Sequence, residues 1–262
     1  MGDARRRRLA GTGVPRFAAP RTPRGLAKLV VPAGPGVPPR EVGLEALALA
    51  ETVRGRVRAH LVRAAASGRV ADLLAGIETA GEECKTLFED ALAATLAASP
   101  AQRADMERVQ CRRGCAFCCH VDVDVTPLEA IRLAEHQRAA GLGPPSVAAA
   151  RYAPCPLLAD GACTAYAMRP FACRSLFSPD AKACETGFTT AATVFVPSLD
   201  WPRFIACGYI TGDIAALDDL GLASHLVELR QALALLLGDP TALPRWLNRQ
   251  DVFPRRHAGA AP

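Results

Sequence analysis

Eight of the ten cysteines in this 262-residue chain fall in one stretch, between Cys111 and Cys184. They form two groups, Cys111-x3-Cys115-x2-Cys118-Cys119 and Cys155-x7-Cys163-x9-Cys173-x10-Cys184, with thirty-five residues between the groups. Such a density leaves two explanations, a disulfide scaffold or a set of metal ligands. Disulfides need an oxidising compartment. The N-terminal arginines are not followed by a continuous apolar run, because Gly11, Gly13, Pro15, Arg16 and Pro20 interrupt it, so no export signal is expected. The expected location is therefore the cytoplasm, where clustered thiols serve metals or redox chemistry.

The spacing suits metal. Thiolates are soft anionic ligands matched to zinc and to iron–sulfur clusters. Cys115 and Cys118 can aim at one ion from a tight turn, and Cys111 and Cys115 would share a face if a helix continued through them. A tetrahedral site takes four ligands, so Cys111, Cys115, Cys118, Cys119, Cys155, Cys163, Cys173 and Cys184 supply two sites, or one with spares. Side chains of adjacent residues diverge in regular backbone, which assigns Cys118 and Cys119 different tasks. Arg112, Arg113, Arg169 and Arg174 lie beside cysteines and would offset the negative charge of a thiolate centre. A single short knuckle departs from zinc ribbons, and Cys155-Pro156 leans toward iron–sulfur, so zinc or iron–sulfur stays open.

Half of the residues are apolar while aromatics make up only 5%, a balance that favours helices packed on small side chains. The net charge of +5 is local: residues 1–40 hold nine basic residues, one acid and seven prolines, and the remainder is mildly acidic. That segment reads as a flexible basic tail. Nucleic acid is expected to touch it weakly at most, and the body carries no basic face. A protein partner is open, and no apolar run reaches the ~20 residues needed to span a membrane.

The apolar period predicts a helix from Leu44 to about Val62 and another from Val70 to Leu96, with Cys84 on the packed stripe of the second. Ser99-Pro100 starts a third helix, running toward Cys111 with Gly114 as its stop. Val121, Val123 and Val125 alternate with Asp122 and Asp124, predicting a short strand or strap with a solvated acidic face. Thr126-Pro127-Leu128-Glu129 is a capping box opening a helix to about Gly141. Residues 142–180 are turn-rich, and a last long helix is predicted from Leu217 to Leu237, followed by a short helix and a loose basic end. The expected fold is mainly α, a helical domain enclosing an irregular cysteine-rich metal-binding segment. Its expected divisions are 1–40 tail, 41–110 helical segment, 111–190 cysteine-cluster domain, and 191–262 C-terminal helical segment and tail.

The two groups resemble the YkgJ family of cysteine-cluster proteins, the CxxxCxxCC zinc- or iron-chelating domain. One signature is Cys111-Arg-Arg-Gly-Cys115-Ala-Phe-Cys118-Cys119; the other joins Cys155-Pro156-Leu157-Leu158 to Gly161-Ala-Cys163-Thr-Ala-Tyr166-Ala-Met-Arg169-Pro170-Phe-Ala-Cys173-Arg174. Cys184 corresponds to the eighth family cysteine. The resemblance covers roughly residues 105–190. Ala165 and Ala167 depart from the usual larger aliphatic and acidic residues, affecting packing and a salt bridge to Arg169 rather than ligation. The resemblance implies chelation of zinc or iron by eight cysteines and no fixed activity. Lysine methylation of flagellin is associated with proteins that share a similar cluster, which makes an iron–sulfur-dependent enzyme one alternative.

A thiol redox sensor built on Cys118 and Cys119 is another alternative. Catalytic residues are not identified, because His60, His136, His225 and His257 are isolated and no phosphate loop or dinucleotide fingerprint occurs. Whether the chain is an enzyme is therefore open. Cys207 sits among apolar neighbours and reads as a structural thiol, as does Cys84. His120 reads as a supporting or surface histidine, and Tyr166 as a ring packed over the site.

Overall fold

The structure is a computed structural model, and it describes residues 30–31, 40–41, 44–147, 153–190 and 198–255. Within the expected tail only β1 (Val30–Val31) and Arg40 are described; β1 pairs antiparallel with β2 (Arg40–Glu41). The rest of that tail and the expected loose end after residue 255 lie outside the described residues.

Helix α1 (Leu44–Ala65) buries Val53, Val57 and Leu61, a repeat of four that keeps one face inward. Helix α2 (Val70–Ala98) buries Leu73, Ile77, Ala80, Cys84 and Phe88 on one stripe. Ser99 ends α2 and caps α3 (Pro100–Glu107), its hydroxyl accepting the Gln102 N–H at 3.3 Å with Pro100 in the first turn. The predicted run toward Cys111 does not occur. Helix α3 stops at Glu107, and Gln110 donates its N–H to the carbonyl of Ser178 at 2.9 Å, pulling the chain to the second cysteine group. Cys111 and Cys115 therefore do not share a helical face.

Strand β3 (Asp124–Val125) leads into α4 (Pro127–Ala139) through the capping box, in which Thr126 N–H donates to Glu129 at 2.9 Å and Glu129 N–H donates to the Thr126 hydroxyl at 3.2 Å. A two-residue hairpin joins β4 (Leu158–Ala159) to β5 (Ala162–Cys163). Its corner, Asp160 and Gly161, takes φ of 49° and 72°, the left-handed pair that matches strand twist in the tightest hairpins. Short helix α5 (Phe171–Arg174) and helix α6 (Ala181–Thr190) follow.

The C-terminal third departs from expectation. The long helix is α7 (Asp200–Asp219), and the run predicted as one helix from Leu217 to Leu237 is broken after three residues. Gly221, at φ 70°, closes α7: Leu222 N–H donates to Leu217 O and Gly221 N–H to Asp218 O, the two bonds of a glycine-terminated helix end. The chain then forms β6 (Val227–Glu228), antiparallel to β3, before α8 (Leu229–Gly238) and α9 (Ala242–Leu247). Helix α7 packs along α1 at close range; a Cβ on Gly212 would stand 2.5 Å from the Ala50 carbonyl oxygen. Arg54 of α1 grips Asp219 of α7 with two hydrogen bonds of 2.8 and 2.7 Å, both side chains nearly buried.

One core unites these helices, with Phe88, Ile131, Tyr209, Leu217, Leu233 and Trp246 all essentially inaccessible to solvent. Among the described residues no helix is long and apolar enough to cross a membrane. The fold is mainly α-helical, with the cysteine-rich stretch between its helices.

Candidate metal centre

The first cysteine group is irregular backbone. Cys118 and Cys119 sit on a single tight turn, Phe117–His120, where Cys119 N–H donates to Ala116 O at 2.9 Å. Gly114, at φ 90°, turns the chain between Cys111 and that turn. In the second group Cys155 precedes the hairpin and Leu158 N–H donates to its carbonyl; Cys163 is on β5, Cys173 on α5, and Cys184 on α6.

These separate elements converge. Cys111, Cys115, Cys118, Cys119, Cys155, Cys163 and Cys173 all line one cavity of about 420 Å³. Cys184 joins the group from one side through Ser178, which donates its N–H to the Cys111 sulfur at 3.1 Å while its hydroxyl takes the Cys184 thiol at 3.5 Å. All ten cysteines are free thiols. Among the described residues no three His, Cys, Asp or Glu side chains yet form a group spaced to hold one ion; the sulfurs border a space rather than meet at a point.

Several of these thiols are biased toward their neutral form. Burial pushes Cys111, Cys155, Cys163 and Cys173 up from the ordinary thiol value. Neighbouring cysteines add to it: Cys115, Cys118 and Cys184 act on Cys111, and Cys118 and Cys155 act on Cys173. Cys118 is raised first by its hydrogen bond to Cys119 and then by burial, and the same bond lowers Cys119. The expected divergence of Cys118 and Cys119 is thus corrected, because the tight turn leaves their sulfurs within hydrogen-bonding reach. Every buried thiolate here would need a compensating cation, and an all-sulfur donor set suits a soft one. The residues present therefore fit zinc or iron.

The arginines divide. Arg169 and Arg112 line the cavity, and Arg169 lowers Cys118, Cys163 and Cys173 by its charge. Its guanidinium carbon lies 3.9 Å from the Tyr166 ring centre, a cation–π stack in the place of the salt bridge that Ala167 cannot make. Arg113 lies 6.0 Å over the same ring. Arg174 turns away, pairing with Glu89 at 3.5 Å and donating to Ala167 O at 2.6 Å. Tyr166 lines the cavity with one side open to solvent, as a covering ring.

Asp122 is exposed, as expected of a solvated face, whereas Asp124 is half-buried because it pairs with β6; both border the cavity. The apolar walls contributed by Ile210, Leu226 and Leu229 had no sequence signal, since they come from α7 and from the β6–α8 junction. His120 packs its ring 4.3 Å from that of Phe188 on α6. Cys84 is buried at 4% exposure in the helical core, and Cys207 packs half-buried near Ala50. Neither lines the cavity.

Seven cysteines converging on one cavity mark this as a cysteine-cluster site with a soft, sulfur-rich donor set. Residues 110–190 match the family model CxxCxxCC, described as "Putative zinc- or iron-chelating domain". No curated protein and no solved structure matches the chain.

Proposed function

We propose that the segment from Cys111 to Cys184 holds more than one metal ion through its eight cysteines. The convergence of seven of them on a single cavity of about 420 Å³ carries this reading. A lone tetrathiolate ion sits about 2.3 Å from each sulfur and needs no space of that size. The electrostatic neighbourhoods support two linked halves. Cys111 senses Cys115, Cys118 and Cys184, whereas Cys119 senses Cys155, Cys163 and Cys173. Cys118, hydrogen-bonded to Cys119, stands at the junction.

When bound, zinc or iron supplies the positive charge that lets these thiols ionise in a buried setting. The chain supplies the rest. Ser178 orients Cys111 by its N–H, Arg169 offsets negative charge on the side of Cys118, Cys163 and Cys173, and Tyr166 screens Arg169 from water. Loading must expel protons where burial favours the neutral thiol, as at Cys111, Cys155, Cys163 and Cys173. Purification without oxygen, followed by metal analysis and an optical spectrum, tests this reading. Two or more metal ions per chain are expected. One zinc per chain, in a colourless sample with four unprotected cysteines, would overturn it.

A further inference from the structure

A second cavity, of about 20 Å³, lies where α1, α2, α4, α5 and α7 meet. Its polar lining is Cys84, Glu129, Arg132, Tyr209 and Asp213. Two of these are committed elsewhere. Glu129 accepts the Thr126 N–H at 2.9 Å with one carboxylate oxygen and the Phe171 N–H at 2.7 Å with the other. The guanidinium of Arg132 reaches out to Glu78 and Glu82 at 2.9 and 2.7 Å. Tyr209 is 0% exposed, yet among the described residues its hydroxyl has no hydrogen-bond partner. Native structures rarely leave such a group dry. A cavity of this size exceeds the ~10–15 Å³ one water needs, and a buried water is stable with two to four polar partners.

We propose that this cavity is a built site for one ordered water molecule, held by the Tyr209 hydroxyl, the Asp213 carboxyl and the Cys84 thiol, and that the cluster positions the turn carrying Cys173. Two routes connect the cluster to that turn. Asp213 accepts the Thr126 hydroxyl at 2.5 Å, Thr126 and Glu129 bracket each other, and Glu129 holds the Phe171 N–H. The Tyr209 ring also stacks on the Phe171 ring, with centres 4.7 Å apart and planes at 19°. Phe171 opens α5, and Cys173 lies two residues on. Asp213 is faced by Glu129 and Arg132 from α4 and by Cys84 from α2; Tyr209 is faced by Cys84 and Asp90 from α2. Burial favours the neutral carboxyl, which donates to the water while accepting from Thr126.

The consequence for Cys173 rests on its reading as a ligand; the water site does not. A high-resolution crystal structure of the full chain, with hydrogen exchange on the same protein and on Tyr209→Phe and Asp213→Asn, separates the two. One water peak within about 3 Å of Tyr209 Oη and the Asp213 carboxyl is expected. Backbone amides of residues 168–176 should exchange about tenfold faster in Tyr209→Phe, and metal should bind about tenfold more weakly, the loss typical of a supporting partner. A dry cavity, or exchange unchanged in both variants, overturns the proposal even if wild-type protein is full of metal. A water peak with protected amides in a chain that takes up no metal upholds the site and defeats the metal reading instead.

Discussion

Cys155 donates its main-chain N–H to the carbonyl oxygen of Cys119 across 2.6 Å, so the last cysteine of the first motif and the first cysteine of the second are joined through backbone. The two signatures, thirty-five residues apart in sequence, thereby become one wall. Substituting Cys119 or Cys173 by serine should cut the metal content of the purified chain by half or more, because a hard hydroxyl replaces a soft thiolate. Cys207→Ser, remote from the cavity, should leave the content unchanged. Elemental analysis of the three variants checks this.

Metal removal should loosen one segment and spare the other. The helical core of α1, α2 and α7 closes on apolar side chains such as Val53, Ile77 and Leu217, whereas the cysteine wall encloses space bordered by seven thiols. Chelation is expected to leave most of the far-ultraviolet helical signal in place, while limited proteolysis opens sites within residues 108–122 and 153–180. Loss of the whole helical signal would show that the core depends on metal.

Affinity for metal should rise with pH. Burial raises Cys111, Cys155, Cys163 and Cys173, so each proton must leave before its thiolate binds. Competition titrations between pH 6 and 8 should show steadily tighter binding. A flat profile would mean that the thiols ionise before metal arrives.

Asp213 makes the opposite demand on stability. Its buried carboxyl is pushed up to about 7, above the unfolded value of 3.8. A group raised on folding contributes fully below its unfolded pKa, and the contribution is lost as pH rises through its folded pKa. Stability from this residue should therefore decline from about pH 4 and be gone above about pH 7. In Asp213→Asn that part of the decline should vanish, as read by urea denaturation across the range.

Gly212 sets how closely α7 approaches α1, since an added Cβ would meet Ala50 O at 2.5 Å and Val53 Cβ at 2.7 Å. Gly212→Ala should destabilise the chain by about 1–3 kcal/mol through overpacking, despite alanine's better helix propensity. Denaturant midpoints measure it.

Much of the molecule was legible in advance. The stripes of α1 and α2 and the capping box at Thr126 and Glu129 are local patterns, and local patterns survive folding. The cysteine spacing marked the stretch that lines the larger cavity. Helix α7 was hidden because Gly208 and Gly212 lower its intrinsic helix propensity; the close contact that calls for Gly212 exists only once α1 lies alongside. The break at Gly221 was masked by apolar residues on both sides, which read as one long stripe. The cavity walls from Ile210, Leu226 and Leu229 depend on that break, so they stayed invisible with it. Helix α3 ended early for a tertiary reason, the bond from Gln110 to Ser178.

X-ray absorption at the edge of the metal that accompanies the purified chain tests the central claim most directly. A first shell made wholly of sulfur at about 2.3 Å is predicted, from cysteines of both motifs. A first shell dominated by nitrogen or oxygen would contradict it, since the wall around the cavity offers sulfur from seven cysteines.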